Sequence, residues 1–374
     1  MGETVIIEKL VSGGWGLART AEGIVLVDGT LPGEQVEIHL LKRSRGVANA
    51  RVSRILKASG DRRIPPCKVH QTCGGCGFQY AGDNVQTELK AAWVKESLKR
   101  IGGIDIDELP IVKGQSWNYR HRAQIHSDGK NKRGFLAEAS HEIVPVEQCP
   151  VLQASLNAYL DPVHSFWKSR PPGRYLFTAQ GLNSWSAEDE EGILTLNGQD
   201  FHFPASGFVQ SNLELTELLR AKVLAIIQDR IKEKSTEIWD LYGGAGTWSQ
   251  LPALDGYKVR LVEENPEAKT PALKNCPGSI FETGSVENFL GIQKKSARFI
   301  LADPPRTGLS NQVREHVVRL KPEFFLYISC HGDTFARDAK DLLKAGYILD
   351  QLSLWDFYPQ TFHVEIVSLW VKQA

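Results

Sequence analysis

The sequence predicts an α/β protein with a β-rich front half, on three observations. From residue 213 onward apolar strands alternate with helical stretches, the pattern of a mostly parallel sheet covered by helices. Residues 1–58 read instead as short strands broken by Gly23, Gly29 and Gly33, a spacing that suits a small closed barrel of the OB-fold kind. Between these, residues 59–202 hold one helical stretch and then turn-rich strands. The 374 residues are enough for two or three such units, and boundaries near 58 and 202 are expected.

Taken in order, the barrel's last strand and its approach carry Arg51, Arg54 and Lys57. Net charge is zero, yet Lys42–Arg63 holds eight Lys/Arg against Asp61, and Lys113–Arg133 holds six against Asp128. Two basic islands on a neutral chain suggest a local polyanion site, and a basic barrel is a plausible grip on RNA. In 84–103, Val85, Leu89, Ala92 or Trp93, Leu98 and Ile101 recur at helical spacing until Gly102 and Gly103 stop the helix. No apolar run reaches the roughly 18 to 20 residues of a membrane helix. The N-terminus has no basic region followed by a long apolar stretch, so a leader is not expected. A cytoplasmic location, no membrane partner and a monomer are expected.

In a reducing compartment clustered cysteines read as metal ligands or catalytic groups rather than disulfides. Cys67, Cys73 and Cys76 fall within ten residues, and Cys149 arrives later in "VEQCPVL". Four such thiols suit zinc or an iron–sulfur cluster, and the spacing alone leaves both open. Cys276 is expected to be buried packing.

In the C-terminal half "STEIWDLYGGAGTWSQLPALDG" runs from strand to glycine loop to helix. Glycines there admit positive φ and close approach to a ligand, although the loop lacks the full dinucleotide spacing. The next strand ends in Glu263, placed to accept ribose hydroxyls, and a later one ends in Asp303 before Pro304-Pro305. With Asp240 these acids are expected at the ligand-bearing strand ends. "PEFFLYISCHGD" delivers Cys330 to that rim as a candidate nucleophile. His331 is its neighbour, but successive strand residues face opposite ways. Glu365, set among apolar residues in "TFHVEIVSLW", would be raised by desolvation toward a pKa useful for proton abstraction.

"FVQSN" (208–212), "DLYGGAGTWS" (240–249), "ADPPRTGL" (302–309), "YISCHGDTFARD" (327–338) and "HVEIVSLW" (363–370) occur together and in order. The set resembles the S-adenosylmethionine-dependent RNA 5-methyluridine methyltransferases, whose catalytic domain is of the Rossmann-like class I type. The N-terminal barrel resembles a TRAM domain. The resemblance implies Cys330 as nucleophile and Glu365 as general base. It implies donor contacts from Gln210, Tyr242, Gly244, Glu263 and Asp303, and also from Thr247 and Ser285, where relatives often carry other polar residues. Cys67, Cys73, Cys76 and Cys149 match the thiolates that hold a [4Fe–4S] cluster in the ribosomal-RNA branch, so 23S rRNA is the implied substrate. For RNA contact, Arg51, Arg54, Arg120 and Arg122 are expected at phosphates and Tyr119 in a base stack. The chain departs from the family pattern at Gly243, where relatives have Cys, at His331-Gly332-Asp333, and in Pro266 and Pro271.

Four alternatives compete: methylation of a transfer RNA, an Asp-Pro-Pro type RNA N-methyltransferase, a radical enzyme, and a decayed RNA-binding protein. In the second an aromatic follows Asp-Pro-Pro, where Arg306 stands here, and Cys330 and Glu365 are left unexplained. The radical reading needs a C-x3-C-x2-C motif, which is absent. Intact Cys330, Glu365, Gln210 and Asp303 argue against decay.

Overall fold

A computed structural model describes residues 3–44 and 46–373, apart from the side chains of residues 42–44. Arg45 and the side chains of Lys42 and Arg43, which belong to the first basic island, lie outside the described residues.

Six strands form the front unit: β1 (Glu3–Ile6), β2 (Lys9–Val11), β3 (Trp15–Thr20), β4 (Gly23–Asp28), β5 (Gln35–Ser44) and β6 (Val47–Lys57). Their order is β1-β5-β6-β4-β3-β2, which leaves β1 and β2 at opposite edges. Those two strands are consecutive in the chain, so residues 7 and 8 close the sheet on itself. Ile7 N–H reaches Glu34 O at 2.9 Å on one side, and Glu8 N–H reaches Leu17 O at 2.8 Å on the other. Alternating residues turn inward, and Val25, Val27, Val36, Ile38, Ala48 and Ala50 fill the interior. The expected barrel is present.

Helix α1 (Asp83–Ser97) passes into one π-helical turn at Leu98–Gly102 and ends on Gly103 in the left-handed conformation. The spacing located this helix, but not its widened last turn. Its apolar face, with Trp93, Val94 and Leu98, joins the same core as Phe335 and Ala336.

After the short β7 (Ile111–Lys113), strands β8 (Arg122–Ser127), β9 (Arg133–Leu136), β10 (Ile143–Pro145), β11 (Gly173–Gln180) and β12 (Asn183–Ser186) form an antiparallel sheet in the order β10-β9-β8-β11-β12. Helix α2 (Ala154–Asn157) packs on it. A hairpin of β13 (Glu191–Leu196) and β14 (Gln199–Pro204) follows, and packs through Phe201 and Phe203 against Leu213 and Ala245.

The main sheet comprises β15 (Glu237–Leu241), β16 (Lys258–Glu263), β17 (Ile280–Thr283), β18 (Phe299–Ala302), β19 (Phe324–Ser329), β20 (Tyr347–Asp356), β21 (Glu365–Lys372) and β7, in the order β17-β16-β15-β18-β19-β21-β20-β7. Strands β15 to β19 are mutually parallel, whereas β21 is antiparallel to both its neighbours. Helices α3 (Leu213–Arg230), α4 (Gln250–Leu254), α5 (Lys269–Asn275), α6 (Val286–Ile292), α7 (Asn311–Leu320) and α8 (Gly332–Lys344) supply the crossovers. Two apolar clusters, one around Phe325, Phe335 and Trp370 and one around Leu219, Phe299 and Phe357, bury its two faces. This is the Rossmann-like α/β arrangement the alternating pattern predicts. Chain order reverses at β15, so the crevice beyond β15 and β18 is where such sheets take ligands. Among the described residues, no helix is long and apolar enough to cross a membrane.

Candidate active site

Strand register brings the reactive pair together. Strand β19 runs antiparallel to β21, with Ile328 opposite Val367 and Ser329 opposite Ile366. One step further sets Cys330 opposite Glu365. Directly opposed residues in an antiparallel pair project to the same face, with Cβ atoms about 4.5–5.5 Å apart. Both side chains line one cavity of about 740 Å³, together with Gln210, Tyr242, Gly244, Thr247, Glu263, Asp303, Arg306 and Tyr358. His331 turns away, and its ring nitrogen accepts from Thr334 N–H as the cap of α8.

The glycine loop bends as its composition requires. Tyr242, Gly244 and Gly246 all have positive φ, and Gly244 has no atom near the place a Cβ would occupy. Glu263 at the end of β16 accepts from Gly244 N–H at 3.1 Å and from Asn265 N–H at 2.8 Å, which fixes loop and carboxylate together. Asp303 accepts from the Trp248 indole N–H at 2.8 Å. Tyr358 donates to Gln210 Oε1 at 3.3 Å.

Burial sets the electrostatics. It raises Asp303 despite the Trp248 bond. Burial, then the neighbouring Asp303, hold Glu365 well above the usual carboxylate range, with Arg306 opposing. Burial, then the carboxylates of Glu365 and Asp303, push the Cys330 thiol up to about 12, and Arg306 again opposes. The cavity therefore crowds acidic groups around the thiol and suits a cationic ligand. S-adenosylmethionine, with its sulfonium and ammonium charges, fits this set, and the open space at Gly244 fits a ligand lying against backbone.

Several expected residues stand elsewhere. Ser285 caps α6 by accepting from Asn288 N–H at 3.3 Å and does not line the cavity. Asp240 is fully buried beneath the loop, where it accepts from Ser249 at 2.5 Å. Tyr119 is buried and donates to Pro359 O at 3.0 Å, so its ring is not free to stack on a base. Arg120 and Arg122 do line the cavity; Arg122 is there held by Thr178 Oγ1 at 2.7 Å and by Gly207 O, and burial lowers it to about 10. Arg51 lines a second cavity of about 810 Å³. Arg54 is exposed on the barrel and pairs with Glu37 at 3.4 Å.

The second cavity lies between barrel, cysteine segment and catalytic sheet, and His363 lines both. Sequence reasoning passed over Trp248, Arg306, Tyr358 and His363 as cavity residues. Their position within a few residues of Thr247, Asp303 and Glu365 was the available signal.

Cys73 and Cys76 face the second cavity, and Cys76 shares an apolar cluster with Cys149. Burial raises Cys73, Cys76 and Cys149, and thiol neighbours add to it: Cys67 on Cys73, Cys149 on Cys76, Cys67 and Cys73 on Cys149. Among the described residues no group of three or more His, Cys, Asp or Glu is gathered closely enough to hold a metal ion. Cysteine sulfur is the soft donor that zinc and iron–sulfur sites take, so the residue types fit such a group although three of them are not gathered around one point.

Residues 285–373 match the profile of the tRNA (Uracil-5-)-methyltransferase family, and residues 3–53 match that of the TRAM domain. These matches set the chain beside the RNA uracil-5-methyltransferases. The chain is 28% identical to the 23S rRNA (uracil(1939)-C(5))-methyltransferase RlmD of Pectobacterium atrosepticum, over 99% of this chain and 94% of that protein. It is 27% identical to RlmD of Shewanella sediminis, covering 98% and 95%. The crystal structure of Pyrococcus abyssi tRNA (uracil-54, C5)-methyltransferase in complex with S-adenosyl-L-homocysteine superposes with a TM-score of 0.75 at 21% identity, covering 99% of this chain and 100% of that one.

Proposed function

We propose that the protein transfers a methyl group from S-adenosylmethionine to C5 of a uridine in 23S rRNA. The observation that supports this most directly is the β19–β21 register, which sets a thiol and a carboxylate facing each other in one acidic cavity. C5 of uracil is too weak a nucleophile to take a methyl group unaided. The Cys330 thiolate adds to C6, and the C5=C6 electron pair moves into an enolate ending on O4. Bound S-adenosylmethionine supplies an electrophilic methyl on a sulfonium. C5 takes that methyl, and the electrons of the broken bond stay with sulfur. Glu365 removes the C5 proton, C5=C6 reforms, and the thiolate leaves C6. Gln210, Tyr242, Gly244, Thr247, Glu263 and Asp303 hold the donor. The target base leaves its stack to enter, with Arg120 and the barrel's Arg51 and Arg54 on the phosphates.

Cys67, Cys73, Cys76 and Cys149 hold a [4Fe–4S] cluster in this reading. The methyl transfer needs no electron, so the cluster's part is to fix the segment around it. One chain supplies nucleophile, base and donor site, which supports a monomer, and a ribosomal substrate supports a cytoplasmic location.

RNA carrying 5-fluorouridine tests the reading, because fluorine at C5 blocks the elimination. The wild-type protein forms a denaturation-resistant RNA adduct with 23S rRNA fragments and not with transfer RNA. Cys330→Ala forms none and loses turnover, and Glu365→Gln slows release by roughly 10²–10⁴-fold. Full turnover by Cys330→Ala defeats the mechanism. A preference for transfer RNA defeats the substrate assignment.

A further inference from the structure

The segment leading into Glu365 is fastened most densely at one residue, Gln360. Gln360 is fully buried yet has a φ of 68°, a conformation that side-chain-bearing residues keep only where surroundings impose it. Those surroundings use every hydrogen-bonding group it has. Its Oε1 accepts from Arg63 Nη2 at 2.9 Å and from Gln86 Nε2 at 2.8 Å. Its Nε2 donates to Asp83 Oδ1 at 2.9 Å and to Ser116 O at 3.5 Å. Its backbone N–H donates to Gln86 Oε1 at 2.8 Å, and its carbonyl accepts from Phe78 N–H at 2.9 Å.

None of these partners belongs to the strands bearing the donor site. Phe78 follows Cys76 by two residues, Asp83 and Gln86 begin α1, and Arg63 opens the cysteine segment. Around this hub Tyr119 donates to Pro359 O, and Lys90 Nζ donates to Tyr358 O at 3.0 Å. The Phe362 ring lies against Phe78, with centroids 4.7 Å apart. A loop joining two adjacent antiparallel strands can be short and self-supporting. This one is instead held from outside, and it sets the entry of His363 and Glu365 into the cavity.

We propose that Gln360 is a positioning residue for the reaction: it locks the β20–β21 connection to the segment following the cysteines, so that Glu365 meets the C5 proton. The inference rests on Glu365 acting as general base. Small displacements of a proton acceptor are costly in rate while leaving binding intact. Loosening the connection therefore slows proton removal more than it slows thiolate addition or methyl transfer. The species that accumulates is the methylated nucleotide still bonded through C6 to Cys330 and still carrying its C5 hydrogen.

The test uses Gln360→Ala and, independently, Gln86→Ala, which strips two of the hydrogen bonds without changing the loop itself. Each is incubated with S-adenosylmethionine and an ordinary uridine-containing 23S rRNA fragment, and compared with wild type and Glu365→Gln. Both glutamine variants are expected to lose about tenfold or more in kcat with KM for RNA and donor within about twofold. Both also build up a covalent protein–RNA band on denaturing gels, as Glu365→Gln does. Deuterium exchange at residues 360–365 rises in both variants. Turnover near wild type without the band overturns the inference, as does a proportional loss of RNA binding, adduct formation and turnover, which marks a purely structural role. A Glu365→Gln protein that neither slows nor accumulates the band removes the general base, and the inference falls with that reading. If only Glu365→Gln accumulates the band, the base stands and Gln360 is not its positioning residue.

Discussion

Cys330, the proposed nucleophile, is kept protonated by its own surroundings. Burial and the carboxylates of Glu365 and Asp303 push the thiol up to about 12, so in the free protein little thiolate exists at neutral pH. A cationic donor beside those carboxylates would lower the thiol again. Alkylation of Cys330, followed by mass spectrometry of its peptide, is expected to run several-fold faster at pH 8 with S-adenosylmethionine bound than with S-adenosylhomocysteine. Both occupy the same space, and only the first carries the sulfonium charge. Equal rates would show that donor charge does not activate the thiol. At this scale the sequence was most readable: a thiol just after one apolar strand and an acid opening another are chemically conspicuous. It was least readable where a residue's partner lies far along the chain. Tyr119 looks like a base-stacking residue in a basic island, and only the folded chain shows it buried and donating to Pro359 O.

Strands and helices position this chemistry through a few buried polar links. Lys90 on α1 and Asp356 at the end of β20 form a 2.7 Å ion pair, with side chains 0% and 3% exposed. Burial lowers Lys90, and Asp356 opposes that shift. Removing one partner leaves the other charge buried alone, so Lys90→Met is expected to destabilise the protein by about 3–5 kcal/mol. Replacing both with apolar residues is expected to recover most of that loss. Denaturant unfolding of the two variants checks this, and a single variant as stable as wild type would refute it. The 3.6-residue spacing made α1 legible, as Gly103 did its end. The pairing of Ile111–Lys113 with β20 was not, because three residues of extended chain carry no periodicity to read. Nor did local pattern reveal that β21 inserts between β19 and β20, on which the Cys330–Glu365 encounter depends.

At the scale of the whole molecule a polar latch and an aromatic wedge are among the contacts that tie the barrel to the rest. Glu34, fully buried, accepts from Arg62 Nε at 2.6 Å and Nη2 at 2.8 Å, while Arg62 also donates to Gly29 O. Burial pushes Glu34 up, but the bonds from Arg62 and from the Leu31 and Ser59 N–H groups outweigh it and hold the carboxyl below its ordinary value. A depressed carboxylate lends stability above its unfolded pKa of about 4.3 and loses it as pH falls through the folded value. Barrel protection in deuterium exchange is therefore expected to fail below about pH 4 in wild type. Glu34→Gln lacks that acid dependence and is weaker at neutral pH, and an unchanged acid profile would exclude the latch. The wedge is Phe362: a Cβ on either Gly14 of the barrel or Gly77 of the cysteine segment would collide with its ring. Composition and motifs gave no sign of this meeting point, since Phe362 lies hundreds of residues from Gly14 and Gly77. The sheet order carries one further consequence, for synthesis. A nascent chain exposes its donor site and its thiol before the ribosome has made β21, the strand that fills the gap between β19 and β20. With Glu365 as the proposed base, the unfinished protein until then has nothing to take the uridine's hydrogen, so methylating competence arrives with β21 rather than growing with the chain.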